Sequence, residues 1–180
     1  MANALGNEIL YVQGIDGAGR PAASTEPFTV NQLVSGGIGG SLSAYSTSTL
    51  TATSNTTLTL IPGMSVNVIA GEIYDIEIYL TGTANASGGL KVALGGTATA
   101  TSLSVDTWVY NTTTVVAQGV ITSLSSNLVA LTGAFTTLFA SGTIQVLAGG
   151  TLTLTAAQNA SFATGSTFAV NSNMILTRIA

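Results

Sequence analysis

Asp75 and Glu77 stand two residues apart in GEIYDIEIYL. If that stretch is a strand, both carboxylates leave the same face, roughly 7 Å apart by strand rise. Such a separation would suit the acid and base of an inverting glycosidase, or two ligands of a Ca²⁺ site. The alternation favours a plainer role. Tyr74, Ile76 and Ile78 fill the intervening positions, so the acids form the solvent face of a half-buried strand. No aromatic cleft residues are evident nearby, and no further acids complete a site.

A second chemical candidate is GIDGAGRPAAST, residues 14–25. Glycine-dense turns cradle phosphates, but this one does not satisfy G-x-G-x-x-G and lacks the Lys-Ser/Thr of a P-loop. Pro21 directly follows Arg20 and disfavours helix where a phosphate site needs a helix N-terminus. EILYVQG before it and EPFTV after it read as short strands, with Asp16-Gly17 as the turn signal between them. The stretch is therefore expected to be a joint in an attachment arm, with Tyr11, Val12, Phe28 and Val30 as its anchors.

Nucleophilic chemistry has little support. A serine needs a base, and the chain has no histidine and no G-x-S-x-G elbow. Ser87 and Lys91 miss the S-x-x-K spacing, and Lys91 reads as a solvated charge on a sheet edge. Trp108 and Tyr110 share one face of a strand. Core or subunit packing is the expected role for the pair, with a sugar-stacking platform as the minor alternative. Asn-x-Ser/Thr at Asn55, Asn85, Asn111 and Asn159 follows from a Thr- and Asn-rich composition.

Composition narrows the class further. Only 6% of the 180 residues are charged and 46% are hydrophobic, against roughly 25% charged in ordinary soluble domains. Ser and Thr supply about a quarter of the chain. A Thr, Ser, Asn and Gly surface suits a particle exterior or a subunit covered by copies of itself. The net charge is −4, and the basic residues are Arg20, Lys91 and Arg178 alone. That argues against nucleic acid and against an anionic membrane as partners. Without cysteine or histidine, neither a disulfide framework nor the commonest metal ligand is offered, and no cofactor is expected. MANALGNEIL lacks the basic and apolar regions of a secretory signal, so synthesis and assembly in the cytoplasm are expected.

The elements that would position any site are strands. Residues 1–34 differ in character from the rest, and SGGIGG at 35–40 separates them, so an N-terminal arm (1–34), a Gly-rich hinge (35–41) and a domain over 42–180 are expected. In the domain, apolar residues alternate at Leu58/Leu60, Val66/Val68 and Tyr74 to Leu80. Pro62-Gly63, Ala70-Gly71, Ser87-Gly88-Gly89, Gly95-Gly96 and Gly149-Gly150 punctuate them as turn signals. Further strands are expected at 90–94, 107–110, 113–118, 142–146, 151–156 and 174–179. NLVALTGAFTTLFASG has helical spacing at Leu128, Leu131, Phe135 and Leu138, but Gly133 and the threonines favour strand. The fold class is all-β, an antiparallel sandwich or jelly roll preceded by an extended N-terminal arm.

Two stretches carry a resemblance. LGNEILYVQGIDGAGRPAASTEPFTVNQL resembles the N-terminal segment shared by tailed-bacteriophage virion and tail-associated proteins. TSNTTLTLIPGMSVNVIAGEIYDIEIYLTGTANASGGLKVALGG, with GTIQVLAGGTLTLTAAQNAS and the closing MILTRI, resembles the β-rich C-terminal domain of phage fibre and head-associated proteins. The resemblance implies a capsid decoration or head-fibre protein of the virion, without enzymatic activity. It further implies a homotrimer attached to the major capsid protein or another virion protein through residues 1–34. The alternative it leaves open is a short tail fibre or tail-tip adhesin that binds a host surface glycan.

Overall fold

The computed structural model describes residues 40–180 in full and residues 9–15 and 21–29 as backbone. The chain divides into two compact units, 1–40 and 41–180. In the first, β1 (Ile9–Ile15) and β2 (Pro21–Thr29) pair antiparallel, with Leu10 opposite Phe28, Tyr11 opposite Pro27 and Val12 opposite Glu26. Two strands flank the GIDGAGR joint, as the turn chemistry of Asp-Gly requires. The phosphate-cradle loop itself, 16–20, lies outside the described residues, as does the glycine-rich stretch to residue 39.

The second unit is built from strands throughout. They are β3 (Ser41–Tyr45), β4 (Leu50–Ala52), β5 (Thr59–Val68), β6 (Ile73–Thr83), β7 (Leu90–Gly96) and β8 (Thr99–Asn111). Then follow β9 (Thr114–Ile121), β10 (Asn127–Leu131), β11 (Thr137–Ala148), β12 (Gly150–Ala157), β13 (Ser166–Phe168) and β14 (Asn173–Arg178). β5 to β12 fill two sheets, in the orders β5-β12-β7-β10 and β6-β11-β8-β9. The chain crosses between the sheets at every connection except β8 to β9. That is the jelly-roll arrangement, two Greek keys wrapped into a sandwich. β14 and then β3 extend the second sheet beyond β6, while β13 pairs with β4 and with the end of β6.

Period-two patterning places the core. β6 sends Tyr74, Ile76, Ile78 and Leu80 inward, β11 sends Leu138, Ala140, Ile144 and Val146, and β8 sends Leu103, Val105 and Val109. Val66, Val68, Leu90, Val92, Leu94, Leu152 and Leu154 meet them from the other sheet. Each fully buried aliphatic side chain contributes about 1.5–3 kcal/mol relative to exposure. At one end Phe135 and Phe168 pack with ring centroids 6.0 Å apart.

Buried polar side chains tie the loops. Gln158, fully buried, donates from Nε2 to the Thr164 carbonyl (2.7 Å) and accepts from the Phe162 amide (3.2 Å). Ser172 Oγ donates to the Ala169 carbonyl and accepts from the Thr81 amide. Ser166 Oγ donates to the Gly89 carbonyl at 2.7 Å. Buried polar groups satisfied in this way hold each loop to one geometry.

Most expected strands are found, several of them longer. Two local expectations are corrected, and the ambiguous stretch 127–142 is strand, as expected. Pro62-Gly63 is not a turn but a bulge inside β5, where the register to β12 shifts and Gly63 takes φ +83°. β5 is a sheet edge, which tolerates a proline's missing donor. A Cβ on Gly63 would run into the Tyr45 carbonyl oxygen, so glycine is also required by close approach. Lys91 is not on an edge strand, because β7 lies between β10 and β12, and its Nζ donates to the Thr56 carbonyl at 2.6 Å. The helical spacing in NLVALTGAFTTLFASG comes from two strands, β10 and β11, joined by a bend whose Phe135 turns inward.

Candidate functional site

Asp75 and Glu77 stand on the outer face of β6, as expected, both exposed. They are not alone there. Hydrogen-bonded register fixes which outer residues become neighbours, and it brings together side chains far apart in sequence. One row reads Tyr45 on β3, Asn173 on β14, Tyr79 on β6, Phe139 on β11, Trp108 on β8 and Gln118 on β9. The next row reads Ser43, Ile175, Glu77, Ser141, Asp106 and Val120 across the same strands. A third holds Ser41, Thr177, Asp75, Thr143 and Ser104. The absence of nearby aromatics expected from the sequence is therefore overturned, because an aromatic row runs beside the acids.

The row is open to water. Tyr45 is 57% exposed, Tyr79 41% and Phe139 36%, and Trp108 is half-buried. Trp108 and Phe139 lie with centroids 5.9 Å apart and planes tilted by 32°, a favourable offset arrangement. Tyr110 stands on the same face of β8 as Trp108, so the pair does share a face, and it is the outer one. At the Trp108 end a shallow hollow of about 190 Å³ is bounded by Asp106, Trp108, Gln118 and Val120.

Among the described residues no cation faces the carboxylates. Among the described residues the cations are Lys91, engaged on the other sheet, and Arg178, whose Nε pairs with the Glu72 carboxylate. Among those residues there is also no cluster of three or more His, Cys, Asp or Glu that could hold a metal ion. Asp75, Glu77 and Asp106 stand on an open sheet face, without the apolar enclosure that tunes a general acid. Their exposed oxygens are open to accept hydrogen bonds from a partner.

A second hollow of about 390 Å³ lies between 96–103 and 122–125, lined by residues such as Thr97, Thr99, Ser102, Ser123 and Ser125. It holds no titratable side chain. The expected anchors Tyr11, Val12 and Phe28 fall on β1 and β2, where the description is of backbone, and Val30 lies outside the described residues. Sequence reasoning found Trp108, Asp75 and Glu77 but not the row. The available signal was aromatic residues in the outward phase of β3, β6, β8 and β11. Without the register there was no way to see that they align.

No family model matches the chain, and no curated protein matches it. Among solved structures it is similar to the VP2 subviral particle of infectious bursal disease virus, over 96% of this chain and 42% of that chain, at 9% identity and a TM-score of 0.22. The structure of the Gx strain of infectious bursal disease virus aligns over 78% and 34% of the two chains, at 14% identity and a TM-score of 0.18. The chain spans less than half the length of either. At these TM-scores the likeness carries no functional argument, so function is read from the chain's own residues and topology.

Proposed function

We propose that the chain is a structural component of a bacteriophage virion, a capsid decoration or head-fibre subunit. In this reading it is anchored through residues 1–34 and projects the jelly roll as a homotrimer. The observation that supports it is the division of the chain. A compact hairpin unit carries the segment that resembles a shared phage attachment sequence, and a separate, sparsely charged β domain follows it. A hairpin can join an exposed sheet edge or dock in a groove, with Tyr11, Val12, Phe28 and Val30 supplying side-chain anchors. Copies linked in a trimer multiply weak arm contacts through effective concentration. With only 6% charged residues in the chain, Thr and Ser hydroxyls supply much of its polar surface.

The test compares the full chain with a variant lacking residues 1–34 for binding to purified particles. The expected outcome is loss of particle binding with retention of a folded, oligomeric domain. Full occupancy by the truncated protein would show that the anchor lies elsewhere. A cryo-EM map of the decorated particle then separates head from tail placement.

A further inference from the structure

The outer face of the six-stranded array β3-β14-β6-β11-β8-β9 has a composition that the fold does not explain. The core takes Tyr74, Phe135 and Phe168, whereas this face carries Tyr45, Tyr79, Phe139, Trp108 and Tyr110. Tyr45, Tyr79 and Phe139 are exposed and Trp108 and Tyr110 half-buried, and large exposed rings gathered on one face mark a surface that meets a partner. The sequence of chemistries along the row is informative. From Tyr45 to Gln118 it crosses five inter-strand steps, about 24 Å at ~4.8 Å each. Four rings share the row with two amides, Asn173 between Tyr45 and Tyr79 and Gln118 beyond Trp108. Beside it run acceptor groups, Ser43, Glu77, Ser141 and Asp106.

We propose that this row is a binding site for an extended, neutral, linear glycan. A sugar ring has an apolar C–H face that stacks on an aromatic ring and an equatorial rim of hydroxyls that donate to carboxylates and amides. Both halves are present here, in adjacent rows of one sheet face. The inter-strand step is comparable to the length of one residue in an extended polysaccharide, so successive sugars meet successive strands. The hollow of about 190 Å³ at Asp106, Trp108, Gln118 and Val120 accommodates one sugar at the end of the row.

Charge decides between a glycan and the other natural occupant, a second copy of the chain. Covering this face with protein would bury Asp75, Glu77 and Asp106, and an unpaired buried carboxylate is strongly destabilising. The described residues offer no cation to meet them, since Lys91 and Arg178 are both engaged elsewhere. Polyol hydroxyls satisfy carboxylates without a counter-charge. The same acids repel an anionic polymer, so a neutral chain is favoured over an anionic one. The inference makes no use of where the protein sits on a particle.

Trp108 is the chain's single tryptophan, so its emission reports the site directly. The full chain is titrated with cellohexaose, hexa-N-acetylchitohexaose and mannohexaose, following Trp108 fluorescence and heat of binding, with an anionic oligogalacturonate of equal length as control. The expected result is saturable binding of at least one neutral hexaose that perturbs Trp108. Tyr79→Ala and Gln118→Ala should each weaken it roughly ten-fold or more. The oligogalacturonate should bind more weakly than the neutral chain. Circular dichroism confirms folding, and Gln118→Ala, on an edge strand, keeps the test alive if Tyr79→Ala does not fold. The proposal is overturned if none of the neutral hexaoses binds at millimolar concentration, if both folded variants bind as the parent does, or if the anionic chain binds best. It is also overturned if Trp108 emission shifts with protein concentration alone as the mass grows and Tyr79→Ala abolishes both, because the face then belongs to a second copy.

Discussion

The inner and outer faces of the same sheet are made by alternate residues of the same strands, and the comparison between them separates folding from function. On β6 the inward set is Tyr74, Ile76, Ile78 and Leu80, all buried, and the outward set is Asp75, Glu77 and Tyr79, all exposed. On β8 the inward set is Leu103, Val105, Thr107 and Val109, and the outward set includes Asp106, Trp108 and Tyr110. The inner face is aliphatic and closed by the opposite sheet. The outer one is aromatic, acidic and uncovered within the domain. Stability arguments account for the first face apart from Thr107, whereas the second is composed for something it meets.

The comparison predicts that neighbouring residues differ sharply in their effect on stability. Ile78→Ala removes a fully buried side chain between two sheets and should cost about 2–5 kcal/mol. For a domain of this size that lowers Tm by about 2–4 °C per kcal/mol, measured by calorimetry or thermal circular dichroism. Tyr79→Ala, one residue on, should cost about 1 kcal/mol or less, because it loses only cross-strand contact with Phe139. Equal losses at the two positions would mean that the outer face is buried in the folded protein and would break the distinction.

How far the sequence announced each face follows from the same physics. Period-two alternation is a local property, so β6, β7 and β12 and their buried residues were legible, and glycine turns marked the boundaries at Ala70-Gly71 and Gly149-Gly150. In β5 the bulge changes the phase, so Val66 and Val68 are inward as expected but Leu60 is exposed and Ile61 buried in its place. Register is not local. Tyr45 and Tyr79 are brought into one row by β14, from the far end of the chain, and Phe139 and Trp108 by the pairing of β11 with β8. Nothing in the spacing of those residues encodes that alignment. Pro62-Gly63 misled for a related reason, since its turn chemistry is real but is spent on a bulge whose position depends on an edge. Gln158 was likewise invisible, because its role is set by the loop to Thr164 that closes over it.

A smaller effect tests whether the inner face is optimised for packing alone. Thr107 is 1% exposed, and its Oγ1 has no hydrogen-bond partner in the protein. A buried hydroxyl without a partner forfeits its hydration without replacement, and an isosteric methyl would not. Thr107→Val should therefore stabilise by about 1 kcal/mol, raising the denaturant midpoint without changing m. A loss of stability instead would show that the hydroxyl is satisfied by an ordered water, and that the inner face is not purely apolar in its design.

The smallest effect belongs to the acids of the outer face. Asp75 and Glu77 lie on one face of β6 about 7 Å apart by strand rise, close enough to repel at low salt and screened at high salt, where the Debye length falls to about 3 Å at 1 M. Neutralising both, Asp75→Asn with Glu77→Gln, should raise Tm by about 1–2 °C at most in dilute buffer and leave it unchanged in 1 M salt. The sign matters more than the size. Carboxylates placed for stability would lower Tm when removed, whereas carboxylates kept for what they bind sit there at a small standing cost, relieved when they are neutralised. A rise that disappears with salt, together with weaker glycan binding by the same double variant, would separate the two faces by purpose as well as by composition.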